Sequence, residues 1–410
     1  MQPRRVVITG IGCITPLGPD VPTFWRRLQA GESAIRPIER TLVGDTVRFP
    51  AAEVPDYEPR RYFKGPELFL RDPFAQFALI AAREAIADAG ITFTADPAGT
   101  AIVLGTGGGG ETSREHAAVQ LFAEKRGRCH PMLVPKTNNQ AAVGLVSMEH
   151  GITGPAFVVS TGCAASTHAI AQAFDLIRFG RATSAITGGS EASILYSVAR
   201  AFGAVQVLAS DTCRPFSRDR TGMVLGEGAG VLVLEELAHA RARGARIHAE
   251  LLGAGMSADA RDPVHPSPSG PAQAMRAALA DARLRPEAID HINAHGTGTV
   301  ANDRAETAAI RDVFGAAADR IAVSATKSMH GHMFGGTGAV EAIAAVLALR
   351  HGVAPPTANY LGPDPECDLD YVPNVCRSRP IAHALSNSFA FGGLNVVLAF
   401  GHADAAEAAR

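Results

Sequence analysis

Neither sign of charge dominates this sequence: 38 lysines and arginines stand against 40 aspartates and glutamates over 410 residues. That near balance excludes the electrostatic footprint of a protein built to hold nucleic acid or an anionic membrane surface. Cysteine is scarce. The six are scattered at 13, 129, 163, 213, 367 and 376 with no C-x-x-C pair. This is neither a disulfide framework nor a zinc-ligand set, and the expected compartment is the reducing cytoplasm. No apolar run approaches the roughly 20 residues that a membrane span requires. The arginine pair before V-V-I-T-G-I-G imitates a signal peptide, but Thr9, Gly10, Gly12 and Pro16 break the run and no small-residue cleavage site follows. A first strand and a turn are expected there instead. Two nucleotide signatures are incomplete as well. T-G-I-G-C-I-T has Thr15 where a dinucleotide loop needs its third glycine, and G-T-G-G-G-G-E at 105–111 lacks a following Gly-Lys-Ser/Thr. The second is read as a turn, or as a place where backbone approaches closely.

What is present is a large apolar fraction, 47%, arranged as strands alternating with alanine-rich helices. Strand-like runs fall at V-V-I-T-G, 101–105, 156–160, 230–234, 291–294, 321–324 and 395–400. Continuous runs of this kind imply strands covered on both faces. Helical segments at 75–89, 164–180, 272–283 and 336–350 alternate with them, giving an α/β pattern. The chain also resembles itself. A-R-E-A-I-A-D-A-G-I precedes A-I-V-L and Gly105-Thr106-Gly107; M-R-A-A-L-A-D-A-R-L precedes D-H-I-N-A and Gly296-Thr297-Gly298. The strand, Cys163 and helix sequence has its counterpart in strand 321–325, Lys327 and the helix from about Gly336. Two related halves packed face to face are expected, 1–250 and 251–410. The loop D-P-V-H-P-S-P-S-G-P at 262–271 reads only as a proline-rich surface connection.

Three segments carry chemistry. In V-V-S-T-G-C-A-A-S, Cys163 ends a strand and opens a helix. Unsatisfied N–H groups and the helix dipole there favour a thiolate, so a lowered thiol pKa is expected, and the same amides could hold an oxyanion. In N-A-H-G-T-G-T, His295 stands among glycines and threonines, unusual company for a core histidine. In T-K-S-M-H-G-H-M-F-G-G-T-G-A-V-E, Lys327 and His332 lie between a strand and a helix. His330 and His332 form an H-x-H pair, but without neighbouring carboxylate or cysteine ligands this is weak as a metal site. One cysteine with two histidines fits nucleophilic and acid–base chemistry better.

Read with R-V-V-I-T-G-I-G-C-I-T-P-L-G, R-P-F-S-R-D-R-T-G-M-V-L-G-E-G-A-G at 214–230 and S-N-S-F-A-F-G-G-L-N at 386–395, these segments resemble the β-ketoacyl-acyl carrier protein synthases over nearly the whole chain. The resemblance implies a thiolase-like α/β fold of two duplicated halves in five αβαβα layers. It further implies a Cys163, His295, His332 set of the elongating type, with no second cysteine in the Phe389–Gly393 loop as thiolases have. An acyl group would be taken onto Cys163, with backbone N–H groups of Cys163 and Phe391 as oxyanion hole. His295 and His332 would stabilise the enolate formed when malonyl-carrier protein loses its carboxyl group. Lys327 is expected to fix His332. Glu341, with Asn293, Ser386 and Asn387, matches a supporting polar network, and the resemblance leaves open a monovalent cation among them. Thr297 and Thr299 match hydroxyls that bind the phosphopantetheine arm, while Phe202, Phe389 and Phe391 match the acyl-pocket wall and gate. No cofactor of its own is implied, since the arm arrives on the acyl carrier protein. The implied partners are that carrier protein and a second subunit, either the same chain or a chain-length-factor-like one.

Some positions depart from the family pattern. Gly108 replaces a bulky aliphatic residue at the acyl-pocket constriction and is expected to open the tunnel. Asn138 and Asn139 either meet an unsaturated or oxygenated chain or pair across a subunit interface. Leu394 replaces a threonine, Asp262-Pro263-Val264 replaces His-Met-Thr, and His330 replaces a common threonine. Fatty acid and type II polyketide roles share the same catalytic residues. The competing readings are a non-catalytic chain-length subunit that retained its cysteine and a cysteine-dependent acyl hydrolase.

Overall fold

A computed structural model describes residues 3–403. Its main feature is a 10-stranded sheet. In chain order the strands are β1 Val6–Ile14, β2 Thr100–Gly105, β3 Ala156–Val159, β4 Ser184–Glu191 and β5 Gly228–Glu236, then β6 Ala249–Ala258, β7 His291–Asn293, β8 Ala322–Ser324, β9 His383–Ala390 and β10 Leu394–Gly401. Across the sheet they run β8-β7-β9-β10-β6-β1-β5-β4-β2-β3. Each half therefore has the strand order 3-2-4-5-1 in its own count. The directions repeat too: β2 is parallel to β3 and β4, and β7 to β8 and β9, while β4–β5 and β9–β10 are antiparallel. The internal resemblance is thus a repeated five-strand unit. The two units join where Val6–Ile8 pairs antiparallel with Ala249–Leu251. The expected division after residue 250 falls inside β6, because the link between the halves is the segment 243–248.

Helices supply the other layers. α1 Pro73–Ala89 covers the outer face of the first unit and α3 Ser269–Ala282 that of the second, joined there by α4 Val300–Phe314. α2 Ala165–Arg178 and α5 Thr337–His351 touch strands of both units and each other, forming the central layer. Every residue of α5 from Thr337 to Leu349 is buried. A helix apolar on all sides can be stable only between two covering layers, and T-G-A-V-E-A-I-A-A-V-L-A-L has that composition. Its one carboxylate, Glu341, faces the site described below.

The glycines of the first strand serve packing. A Cβ at Gly10 would lie 2.1 Å from the Ala85 carbonyl oxygen, and one at Gly12 2.2 Å from that of Ala81. β6 repeats the device, with Gly253 and Gly255 under α3. Strand and helix approach too closely for a side chain, which explains the glycines without a dinucleotide.

Two sequence expectations change. The 156–160 run was expected to be covered on both faces, but β3 is the last strand of the sheet, with Ala156 and Phe157 exposed. Strands β4, β6 and β9 are absent from the sequence reading because glycine, serine and asparagine interrupt their apolar runs. Among the described residues no helix is long and apolar enough to cross a membrane.

Candidate active site

Strand ends from both units converge on one cavity of about 190 Å³. Cys163, His295, His332, Thr297, Thr299, Phe202, Phe389 and Phe391 all line it. Cys163 sits in a 3₁₀ turn, Gly162–Ala164, that leads into α2. Gly162 takes φ +57, a left-handed conformation natural to glycine, and so turns the chain between β3 and the helix. Cys163 is partly exposed, and backbone N–H groups of Phe391 and of Cys163 itself point at its sulfur. Burial nonetheless pushes the thiol up to about 11, outweighing Lys327 and the two amides, which lower it. The lowered pKa expected from a helix N-terminus is therefore not found: desolvation of the thiolate exceeds the pull of the dipole and amides.

The two imidazoles stand edge to face with ring centroids 5.5 Å apart. Burial, then the charge of Lys327, depresses both well below the usual histidine value, so both are neutral near pH 7. The Lys327 ammonium donates to His295 Nδ1 at 3.3 Å. Nδ1 is then an acceptor, and the ring proton resides on Nε2, available as a donor. His332 Nδ1 lies 2.9 Å from the Thr337 hydroxyl, and its Nε2 has no hydrogen-bond partner among the described residues. Thr337 is the first residue of α5. Lys327 was expected to fix His332; it holds His295 instead, and Thr337 holds His332. Both imidazoles also contact aromatic rings, His295 that of Phe389 at 5.8 Å and His332 that of Phe334 at 5.4 Å.

Lys327 is fully buried. Its Nζ meets Glu341 Oε1 at 2.6 Å and the His295 carbonyl oxygen at 2.5 Å. Burial raises Glu341 to about 7 against the lowering effect of Lys327. Removing one partner of such a pair strands a buried charge. We expect Lys327→Met to cost about 3–5 kcal/mol in urea unfolding, and the added Glu341→Gln to restore most of it.

Near this pair, Asn293 on β7 stands in register with Ser386 on β9. Asn293 Oδ1, Ser386 Oγ, Asn387 Oδ1 and Glu341 Oε2 are buried and lack hydrogen-bond partners among the described residues. Thr297 and Thr299 bond each other through their hydroxyls at 2.9 Å, and Thr299 also caps α4 by accepting from the Asn302 N–H.

Other expectations separate from the cavity. Gly108 does not line it: the Glu111 side chain occupies the space, its Cδ lying 2.2 Å from a Cβ built at Gly108. The tunnel expected there is filled, because Glu111 folds back to accept from the Ser193 hydroxyl at 2.5 Å. Asn138 ends a short helix outside the cavity, and Asn139 bonds Ser160 at 3.2 Å. His330 uses both ring nitrogens on its own loop, at the Gly331 carbonyl and the Thr326 hydroxyl. No cluster of metal-ligating side chains occurs among the described residues.

Sequence reasoning missed three contributors besides Thr337. Glu306 on α4 accepts from the His295 and Gly296 amides at 2.8 Å each, and Asp303 from those of Gly298 and Phe216. Their spacing in D-R-A-E, three apart on one helix face, was the available signal. The third, the 262–271 loop, was read as a surface connection, with only Asp262-Pro263-Val264 set against the family's pantetheine contact. Asp262, Pro263, Val264, His265 and Pro266 line the cavity mouth, and Pro263 accepts from the Gly392 amide beside Phe391.

Residues 3–240 match the beta-ketoacyl synthase N-terminal domain, and residues 248–361 match the C-terminal domain. The chain belongs to the beta-ketoacyl synthase family. Within it, the chain is 49% identical over 398 residues to nodulation protein E of Rhizobium sp. (strain N33), covering 97% of this chain and 99% of the relative. It is 42% identical to 3-oxoacyl-[acyl-carrier-protein] synthase 2 of Synechocystis sp. (strain ATCC 27184 / PCC 6803 / Kazusa), with 98% of each covered. Among solved structures, the ishigamide ketosynthase/chain length factor superposes with a TM-score of 0.91 at 40% identity, covering 98% of this chain and 99% of that one. A type II polyketide ketosynthase solved with its acyl carrier protein and bound to the hexaketide gives 0.89 at 32% identity, covering 98% and 100%. The thiolase-like fold of these ketosynthases is therefore the fold of this chain.

Proposed function

We propose that this synthase elongates a carrier-bound acyl chain by decarboxylative Claisen condensation, with Cys163 as nucleophile. The observation that carries the reading is a thiol under two backbone amides in the same small cavity as two neutral imidazoles. Cys163 Sγ attacks the acyl thioester carbonyl, and the Cys163 and Phe391 N–H groups receive the oxyanion. The acyl–sulfur bond to pantetheine breaks, and the cysteine proton leaves on the departing pantetheine thiol. Burial raises the thiol, so the free cysteine rests protonated and gives up its proton in the course of acyl transfer. Malonyl-carrier protein then loses CO₂. The electron pair left on its α-carbon delocalises onto the thioester oxygen, towards which Nε2–H of His295 and of His332 donate. The α-carbon attacks the acyl-Cys163 carbonyl, the carbon–sulfur bond breaks, and the Cys163 thiolate takes one proton from solvent as the β-ketoacyl chain leaves two carbons longer.

Neutral donors suit this step. A permanently protonated imidazole would stabilise the starting carboxylate as well as the enolate, and so lower the barrier less. Thr297 and Thr299 are positioned to meet the phosphopantetheine arm, which comes on the substrate. The partnerless oxygens of Asn293, Glu341, Ser386 and Asn387 are the donor set of a hard monovalent cation, which would hold Glu341 ionised beside Lys327. The unpaired edge of β3 fits a second subunit, either another copy or a chain-length-factor-like chain, and the working compartment is the cytoplasm. A specialised acyl chain is the preferred substrate, on the ground that identity to nodulation protein E, 49%, exceeds the 42% to 3-oxoacyl-[acyl-carrier-protein] synthase 2. Full activity of the purified chain as a homodimer on saturated acyl-carrier substrates would remove that preference.

The reaction is tested with malonyl-carrier protein labelled at its free carboxyl. All label is expected as CO₂ and none in a product two carbons longer; label retained in the product, or CO₂ released without product, contradicts condensation. Phe391 is 43% exposed and stacks 6.4 Å from Phe202 at the mouth. Its ring, unlike its amide, is dispensable to the oxyanion. Phe391→Ala should raise KM for acyl-carrier protein and increase hydrolysis of the acyl enzyme roughly tenfold, read as free acid, as the ring no longer excludes water.

A further inference from the structure

We infer that Glu191, at the end of β4 and outside the reactive cavity, is a positioning residue for His332 and acts through the turn Phe334–Gly336. Its side chain is fully buried, and its four donors are all neutral. Oε2 accepts from the Gly107 amide at 2.6 Å and the Gly335 amide at 3.1 Å; Oε1 accepts from the Gly108 amide at 3.1 Å and the Thr106 hydroxyl at 3.2 Å, while the Ser193 hydroxyl, 3.3 Å away, gives its proton to Glu111. One carboxylate thus ties three chain segments together: the loop after β2, the end of β4 and the turn before α5.

The turn needs an anchor. Phe334 holds φ +40, a left-handed conformation that strains a non-glycine residue, and packs its ring on Phe202 at 4.9 Å and on the His332 ring at 5.4 Å. Gly335 lies against Gly107 so closely that a Cβ would fall 2.2 Å from the Gly107 nitrogen. The backbone of His332 is fixed separately, by bonds to Val224 and Gly226. What the turn sets is the imidazole: it delivers Thr337, whose hydroxyl meets His332 Nδ1, and Phe334, which buttresses the ring face. Releasing the Gly335 amide would shift both His332 contacts at once; Cys163 feels the change only indirectly, through the packing of this turn on Gly162–Ala164 and through the Glu191 charge, which raises the thiol.

This inference rests on the role proposed for His332, and its test separates the two. Acylation of Cys163 and decarboxylation of malonyl-carrier protein are measured independently in Glu191→Gln. The amide keeps the volume but replaces one acceptor by a donor facing backbone N–H groups. Decarboxylation should fall roughly tenfold to a hundredfold, while acylation changes less than about threefold. Equal losses in both half-reactions, or no loss in either, would overturn the inference. If Glu191→Gln does not fold, Thr106→Val, which removes the hydroxyl donor to Glu191 and spares the three amides, should show the same split at about threefold; an even loss or none overturns the inference equally. A wild-type chain that decarboxylates normally while His332→Ala does so too would instead refute the role of His332.

Discussion

Cys163→Ala should abolish condensation, by roughly 10⁴-fold or more, while the protein unfolds at nearly the wild-type urea concentration. The change removes one sulfur from the edge of a cavity and strands no charge, since Lys327 retains its partner Glu341. No acyl adduct should form on incubation with acyl-carrier protein, and the other five cysteines should not substitute. Cys13, Cys213 and Cys367 are buried and Cys129 and Cys376 partly exposed, and none of the five lines the cavity that holds His295, His332 and the Phe391 amide. An adduct on the Cys163→Ala chain, or condensation above a thousandth of wild type, would show that the nucleophile lies elsewhere.

The second large effect belongs to His332. Its Nε2 has no hydrogen-bond partner among the described residues, so its donor capacity is free for the enolate oxygen. Removing one preorganised donor of this kind costs roughly 10²–10³-fold. His332→Ala is expected to lose that much in decarboxylation of malonyl-carrier protein and far less in acylation of Cys163. Equal losses in the two half-reactions would contradict the assignment. The pH dependence follows from the same electrostatics. Because burial holds both imidazoles well below 6.5, neither gains a proton between pH 8 and pH 6. Neither imidazole should contribute a limb over that range; Glu341, raised to about 7, titrates there, so an acid limb near 6.5 that persists in Glu341→Gln would show a histidine that titrates normally.

The legible part of this protein was its repeat and its reactive triad. Ala-rich helices and the Gly-Thr-Gly turns after equivalent strands appear in both halves of the chain, and the fold places them in equivalent positions of two five-strand units. Cys163 and His295 were legible because each follows a strand end in small-residue company, where the backbone can approach a ligand, and His332 because it lies between a strand and a helix in a motif the family shares. Electrostatics and contacts at long sequence separation were not legible. A helix N-terminus implies a stabilised thiolate, but only the packing around Cys163 shows that desolvation prevails. The lysine was legible and its partner was not, since Lys327 has both histidines nearby in sequence or space and the side-chain path decides for His295. Gly108 signalled an open tunnel by its missing side chain, yet Glu111 three residues on fills that space. β4, β6 and β9 escaped notice because glycine and polar residues in them serve close packing and the site itself.

The central claim is that Cys163 holds the chain between two half-reactions. Intact-protein mass spectrometry tests it most directly. Acyl-carrier protein alone should add one acyl mass, mapped by peptide analysis to Cys163, with free carrier thiol released. Malonyl-carrier protein added next should return the chain to its unmodified mass as β-ketoacyl-carrier protein appears in equal amount. An adduct that decays to free acid without malonyl-carrier protein, or condensation with no adduct on Cys163, would contradict the account.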